Sequence, residues 1–228
     1  MTFTKCQYDS WRLFMKKLII ALLFTSLVSA AFSEEPNKGY IGGHFSVPLI
    51  FESVEDSGVK NNSTMTSIGF GMDIVSLKND QVGLYFNMEV ILPMSIKQKV
   101  KTGTNTYSFE VSRSDYETLL GFNGFLGVAF RLYNENNLLL SISPGVNYIM
   151  LFADTTSAST MSILFGIGAN VQGSINLNEN FCLTLGADVA YDFLGLSRIN
   201  DGDFNSSKGH DFIISPKIGI GYKPKSLK

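Results

Sequence analysis

Cysteine is nearly absent from the 228-residue chain, which holds only Cys6 and Cys182. Cys6 lies in an N-terminal region expected to be removed on export, so the remainder has no internal disulfide and must rely on burial and hydrogen bonding. Charge is also scarce: Asp, Glu, Lys and Arg make up 17% of the residues, with a net charge of −2. That balance argues against nucleic acid as a partner. No apolar run reaches the roughly 20 residues of a membrane-spanning helix. Beyond residue 38 no segment sustains a helical apolar period. Histidine is limited to His44 and His210, which leaves little material for an acid–base dyad. What the chain does have is glycine, phenylalanine and tyrosine, at 21, 18 and 9 residues.

The length suits a single domain with its own core. Met15-Lys16-Lys17 opens a short positive segment, residues 18–28 are mostly apolar, and the small residues around Ala30 and Ser33 precede Glu34-Glu35-Pro36. This three-part layout predicts a signal peptide over residues 1–33, with cleavage near Ala30 or Ser33, and a mature domain over 34–228. Residues 1–14 fit no targeting pattern, which makes Met15 an alternative start.

Eight stretches alternate with period two, over about residues 39–51, 65–76, 82–92, 117–131, 138–152, 161–175, 181–193 and 210–222. Val82, Leu84, Phe86, Met88, Val90 and Leu92, for example, alternate with Gly83, Tyr85, Asn87, Glu89 and Ile91. The second, fourth and sixth connections are short and turn-like, whereas residues 52–64, 93–116, 153–160 and 194–209 read as long polar loops. Successive hairpins collect the short turns at one end and the long loops at the other. The expectation is an all-β, eight-stranded, antiparallel up-and-down barrel.

The less apolar parity decides which side meets oil. A soluble barrel, such as a lipocalin, would carry Lys, Glu and Thr on its outer face. Here that parity holds Gly69, Gly71, Gly83, Gly121, Gly127, Gly145, Gly166, Gly168, Gly186, Gly219 and Gly221. Glycine weakens a strand unless close packing requires it. It fits the interior of an eight-stranded barrel, which is only wide enough to be filled by side chains. The apolar parity then faces lipid, as expected for Ile163, Phe165, Ile167, Val171 and Ile175. Outward Phe130, Phe181 and Tyr222 near the short turns, and Tyr148, Phe152, Tyr191 and Phe193 near the long loops, would form two interfacial girdles. Location in an outer membrane, with both termini periplasmic and membrane lipids as partners, follows from that pattern.

The layout resembles the small eight-stranded outer-membrane barrel family of OmpA, OmpX and OmpW type. The stretch Met88-Glu89-Val90-Ile91-Leu92-Pro93-Met94-Ser95-Ile96-Lys97 is similar to the OmpW pattern of an acidic residue in an apolar strand followed by a proline. The resemblance implies a channel for small, hydrophobic molecules that leave sideways through a break in the wall, with Pro93 at the break, and insertion by the outer-membrane assembly machinery. Without it, Pro93, like Pro48, Pro144 and Pro216, reads as a strand bend or terminator. The alternating end segment Ile218-Gly219-Ile220-Gly221-Tyr222 also resembles the family, although Lys223-Pro224-Lys225-Ser226-Leu227-Lys228 follows it.

The inward ionisable set is His44, Asp73, Glu89, Arg131, Asp188, Asp192 and Lys217. Asp188 should lie opposite Ser215 and diagonal to Lys217, and closure should bring His44 beside them. Two readings stay open: a polar network that fills the lumen, or a gate in a narrow conduction path. Lys97, Lys99 and Lys101 read as a solvated loop face, with binding of acidic surface sugars as the other reading. Asn200-Asp201-Gly202-Asp203 lacks the spaced ligands of a calcium loop, so no metal or cofactor is expected. Cys182 reads as a small interior filler. His210-Asp211 reads as a rim turn, and no catalytic activity is expected. The second functional class is a structural or surface-interaction barrel that uses its long loops.

Overall fold

The computed structural model describes residues 38–56, 59–78, 81–135, 137–200, 202–207 and 209–224. The expected signal peptide, its cleavage site, Cys6, Asp201 and residues 225–228 lie outside them. The described chain is built from β1 (Lys38–Ser46), β2 (Leu49–Asp56), β3 (Val59–Lys78), β4 (Val82–Thr102), β5 (Asn105–Ser112), β6 (Thr118–Glu135), β7 (Leu138–Asp154), β8 (Ser159–Asn176), β9 (Phe181–Ile199), β10 (Asn205–Ser207) and β11 (His210–Tyr222). β1 and β2 are halves of one stave, interrupted at Val47-Pro48. Eight staves form a ring of antiparallel neighbours, closed where β1 and β2 pair with β11. Closure leaves no sheet edge in the hydrocarbon, where an unpaired backbone group would cost several kcal/mol.

The alternation sets the two faces. On β8, Phe165, Ile167, Val171 and Ile175 are exposed, and Ile163 is half-buried. Gly166, Asn170, Gln172 and Ser174 are buried on the opposite parity. An apolar exterior around a polar interior is what a barrel in lipid requires. Phe181 and Tyr222 pack at 5.6 Å at the short-turn end, and Phe122 and Phe152 at 6.2 Å toward the other end. The Tyr148 ring covers Gly124 on the neighbouring stave, in the space a side chain there would need.

Three of the four expected long loops prove to be strand. β2 and β3 stay paired from Leu49↔Thr66 to Asp56↔Val59. β4 runs for 21 residues and folds back on β5 through Gly103, whose φ of 59° is the left-handed conformation that a tight hairpin favours. β9 continues to Ile199 and pairs with β10. Only roughly 9–11 residues of each strand are needed to cross the membrane, so these ribbons project beyond it. Residues 153–160 come nearest to the expected loop, with strands resuming at Ser159.

The prolines mark local faults in the ladder. At Pro48 the missing N–H is bypassed: Val47 N–H donates to the Pro216 carbonyl at 3.0 Å, and Ser67 N–H to the Pro48 carbonyl at 2.9 Å. Opposite Pro144 the β6–β7 pairing skips from Gly127↔Gly145 to Phe130↔Ile142 without changing register. At Pro93 the register between β3 and β4 shifts, leaving Met94 as the extra residue.

Val171, exposed on β8 about midway up the apolar band, tests this orientation. Val171→Arg should lower unfolding stability in vesicles by about 2–4 kcal/mol, whereas Val171→Leu should be nearly neutral. Equal tolerance of both, read from urea midpoints, would place this face away from lipid.

Candidate functional site

The interior is layered, and not polar throughout as the alternation suggests. At the short-turn end Tyr40, Val75, Leu77, Tyr85, Phe125, Ala129 and Cys182 form an apolar floor. Cys182 lies in it as a filler, 3.6 Å from the Gly221 carbonyl. Above the floor is a charged layer, and above that a second apolar cluster of Ile50, Met65, Ile91, Ile149, Ala190 and Ile213.

The charged layer is centred on Asp73 of β3. Its Oδ1 accepts from the Tyr85 hydroxyl at 2.8 Å, Asn87 Nδ2 at 3.0 Å and Lys217 Nζ at 3.2 Å. Its Oδ2 accepts from Gln172 Nε2 at 3.3 Å and lies 3.2 Å from His44 Nδ1. Lys217 also donates to Asp188 Oδ2 at 2.9 Å and to the Tyr85 hydroxyl, and its ammonium lies 4.9 Å from the Tyr85 ring centre. Asp188 accepts from Asn170 Nδ2 at 2.7 Å. Glu89 accepts from Ser46 Oγ at 2.6 Å and Asn123 Nδ2 at 2.8 Å, and faces His44 Nε2 at 3.2 Å. Three carboxylates thus share two basic groups, and every stave but that of β7 contributes. Gly69 is required here because a side chain would strike Ser46 Oγ and the Glu89 carboxylate. Ser215 lies opposite Asp188, next to Lys217 along β11 as the alternation predicts.

His44, Asp73, Glu89, Asp188 and Lys217 are therefore brought together. Two residues of the expected set are not. Arg131 sits at the short-turn rim opposite Ser141, one inward position beyond Ala129 of the apolar floor, which separates it from the charged layer. Asp192 lies closer to the long-ribbon end, accepting from Asn147 Nδ2 at 3.2 Å to each oxygen. Tyr85, Asn87, Asn123, Asn170 and Gln172 were not singled out as site residues, although their inward parity was a usable signal. His210 stacks on the Tyr191 ring at 5.7 Å.

Above the charged layer is a vestibule of about 320 Å³, with Ile50, Met65, Ile96, Leu151, Leu164 and Leu196 among its walls. Its wall is incomplete. β4 pairs with β6 from Val82↔Phe130 to Ile91↔Gly121 and no further, and from Ser95 it pairs with β5 instead. β3 holds the other edge of β4, so β5 and β6 follow one another along this edge, and between them the ladder is missing at Leu92, Pro93 and Met94. Pro93 lies within this break. At a strand tilt of ~40° the rise from Val82 to Ile91 is roughly 25 Å, about the height of the apolar band. The break therefore begins at the outer membrane interface. Arg113, in the turn between β5 and β6, donates to the carbonyl of Leu119, one of the β6 residues without a β4 partner.

A closed ring with a lipid-facing apolar exterior, a side-chain-filled interior, short turns at one end and tall ribbons at the other defines a small outer-membrane β-barrel. No model of a known protein family matches the sequence, and no curated protein does. Among solved structures the chain is similar to the outer membrane protein OprG from Pseudomonas aeruginosa, at 14% identity over 81% of this chain and 97% of that one, with a TM-score of 0.48. It is also similar to the outer membrane protein AlkL in DMPC lipid bilayers, at 13% identity over 85% and 95%, with a TM-score of 0.47. A third is Ail, the attachment invasion locus protein of Yersinia pestis, at 11% identity over 81% and 98%, with a TM-score of 0.37.

Lys217→Met leaves Asp73 and Asp188 buried without their shared ammonium and should cost about 3–5 kcal/mol of unfolding stability. Adding Asp188→Asn should recover part of that loss. A cost below about 1 kcal/mol for the single change would mean the layer is hydrated and loosely packed.

Proposed function

We propose that this barrel passes small apolar molecules from the outside into the membrane through its side wall. The observation that carries this reading is the end of β4–β6 pairing at Ile91↔Gly121, level with the vestibule and the outer interface. An apolar solute in the vestibule meets Leu151, which lies beside Gly121 at the edge of the break with the buried Ile91 next to it. Downward, the buried charges of His44, Asp73 and Lys217 disfavour an apolar solute, and Tyr85 and Phe125 occupy the floor. The sideways route is thus the less obstructed one. Pro93 holds the break open by supplying no N–H and by forcing the adjacent bulge. In this reading the charged layer is a structural plug and not a gate.

The second reading, a surface-interaction barrel, is favoured by the β4–β5 ribbon, where Tyr107 and Phe109 are exposed beside the Lys97–Glu110 pair at 3.9 Å. Binding of acidic sugars or matrix proteins by the refolded protein, with no solute uptake, would favour it.

In vesicles loaded with the mature protein, uptake of the uncharged probe N-phenyl-1-naphthylamine should exceed that of empty vesicles. Pro93→Ala should reduce this uptake severalfold, and Arg113→Ala, which releases the Leu119 carbonyl, should raise it. Unchanged uptake in Pro93→Ala would remove Pro93 from the exit.

A further inference from the structure

Register places three carboxylates in one row across three adjacent staves near the vestibule. Asp211 on β11 lies directly opposite Glu52 on β2 and directly opposite Asp192 on β9. The next row toward the periplasm is Ile50, Ile213 and Ala190, which is wholly apolar. Like charges directly opposite one another destabilise a sheet, and a buried carboxylate without a partner costs more. In the inner layer each carboxylate faces Lys217 or His44. Among the described residues the outer row has no such cation: Glu52 accepts from Ser63 Oγ at 2.8 Å and Asp192 from Asn147. Asp211, only 4% exposed and lining the vestibule, has neither a hydrogen-bond nor an ion-pair partner among the described residues.

We propose that this row is the recognition site for amphipathic organic cations, whose charge sits against Asp211, Glu52 and Asp192 and whose apolar body lies along the vestibule wall. Two observations select that chemistry. The row extends over about 10 Å, two strand spacings, and among the described residues no three acidic, histidine or cysteine side chains converge on a metal position. The vestibule also presents Met65, Ile96, Leu151, Leu164 and Leu196, interspersed with Ser63, Gln98, Ser162 and Ser197, and a small hydrated ion would leave the apolar side chains unused. Pockets of this size that combine apolar side chains with placed polar groups suit compact organic ligands. The cation supplies in the outer row what Lys217 supplies in the inner one. The inference names a solute class for the proposed entrance and rests on that reading, but its test reads binding and not passage.

The test uses the mature protein in lipid nanodiscs, with protein-free nanodiscs subtracted, and calorimetric titration of hexyltrimethylammonium, tetramethylammonium and 1-hexanol. Hexyltrimethylammonium should bind at least about tenfold more tightly than either of the others, and Asp211→Asn should weaken it by about tenfold or more. Asp211→Asn should also melt no lower than the parent protein, since it removes repulsion. Equal binding of 1-hexanol, equal binding of tetramethylammonium, or full retention of hexyltrimethylammonium by Asp211→Asn would each overturn the proposal. The first two comparisons use the parent protein and hold whether or not the variant folds. Cation binding without uptake of the neutral probe would fault the side exit and leave the carboxylate row standing.

Discussion

Lys217 carries its ammonium across β1, from β11 to Asp73 on β3, and the filling of the barrel depends on that reach. An eight-stave ring leaves too little room for water and too much for small side chains alone. Two long polar groups meeting near the axis fill it, and each supplies the charge that lets the other be buried. The glycine-rich parity follows from the same contact. Gly69 and Gly71 clear space for Glu89, and Gly219 for His44 and Thr184. What reads in sequence as a weak, glycine-rich strand face is the complement of a crowded interior.

That plug divides the molecule into two halves with different work. Toward the periplasm the polar layer and its aromatic floor belong to stability. Toward the outside the same inward parity turns apolar at Ile50, Ile91, Ile149 and Ile213, and the edge of β4 shared by β6 and β5 loses its ladder at Leu92, Pro93 and Met94. In the proposed route, a charged stopper beneath a partly apolar cup turns an apolar solute sideways. The carboxylate row of Asp211, Glu52 and Asp192 lies beside that cup, so charge and apolar surface adjoin. Arg113, bonded to the Leu119 carbonyl, occupies one backbone acceptor at the open edge that hydrocarbon would otherwise leave costly.

Much of this was legible in sequence because lipid imposes a strict period of two. The strand cores, the outward aromatics, the place of Asp188 opposite Ser215 and the inward set around His44 all follow from parity and hairpin order. The ribbons did not follow, for a physical reason. Beyond the membrane both faces of a strand meet water, so residues 97–110 carry no strong alternation even though they are paired. Glu52 was read as loop for the same cause, and Asp211 as part of a rim turn. Their alignment with Asp192 needed the register of ring closure, which no local pattern contains. Arg131 shares the inward parity, but it lies beyond the apolar floor at the short-turn end, a height along the strand that parity alone does not give.

The account turns on a barrel that is closed along its axis and open through its wall. Bilayer recordings of the refolded mature protein, made beside uptake of N-phenyl-1-naphthylamine by vesicles from the same preparation, address both halves together. The account predicts probe uptake that rises with protein content, with no unitary ionic conductance above that of the protein-free bilayer. Discrete, ohmic conductance steps without probe uptake would contradict it, since ions would then be crossing the layer around Asp73 and Lys217.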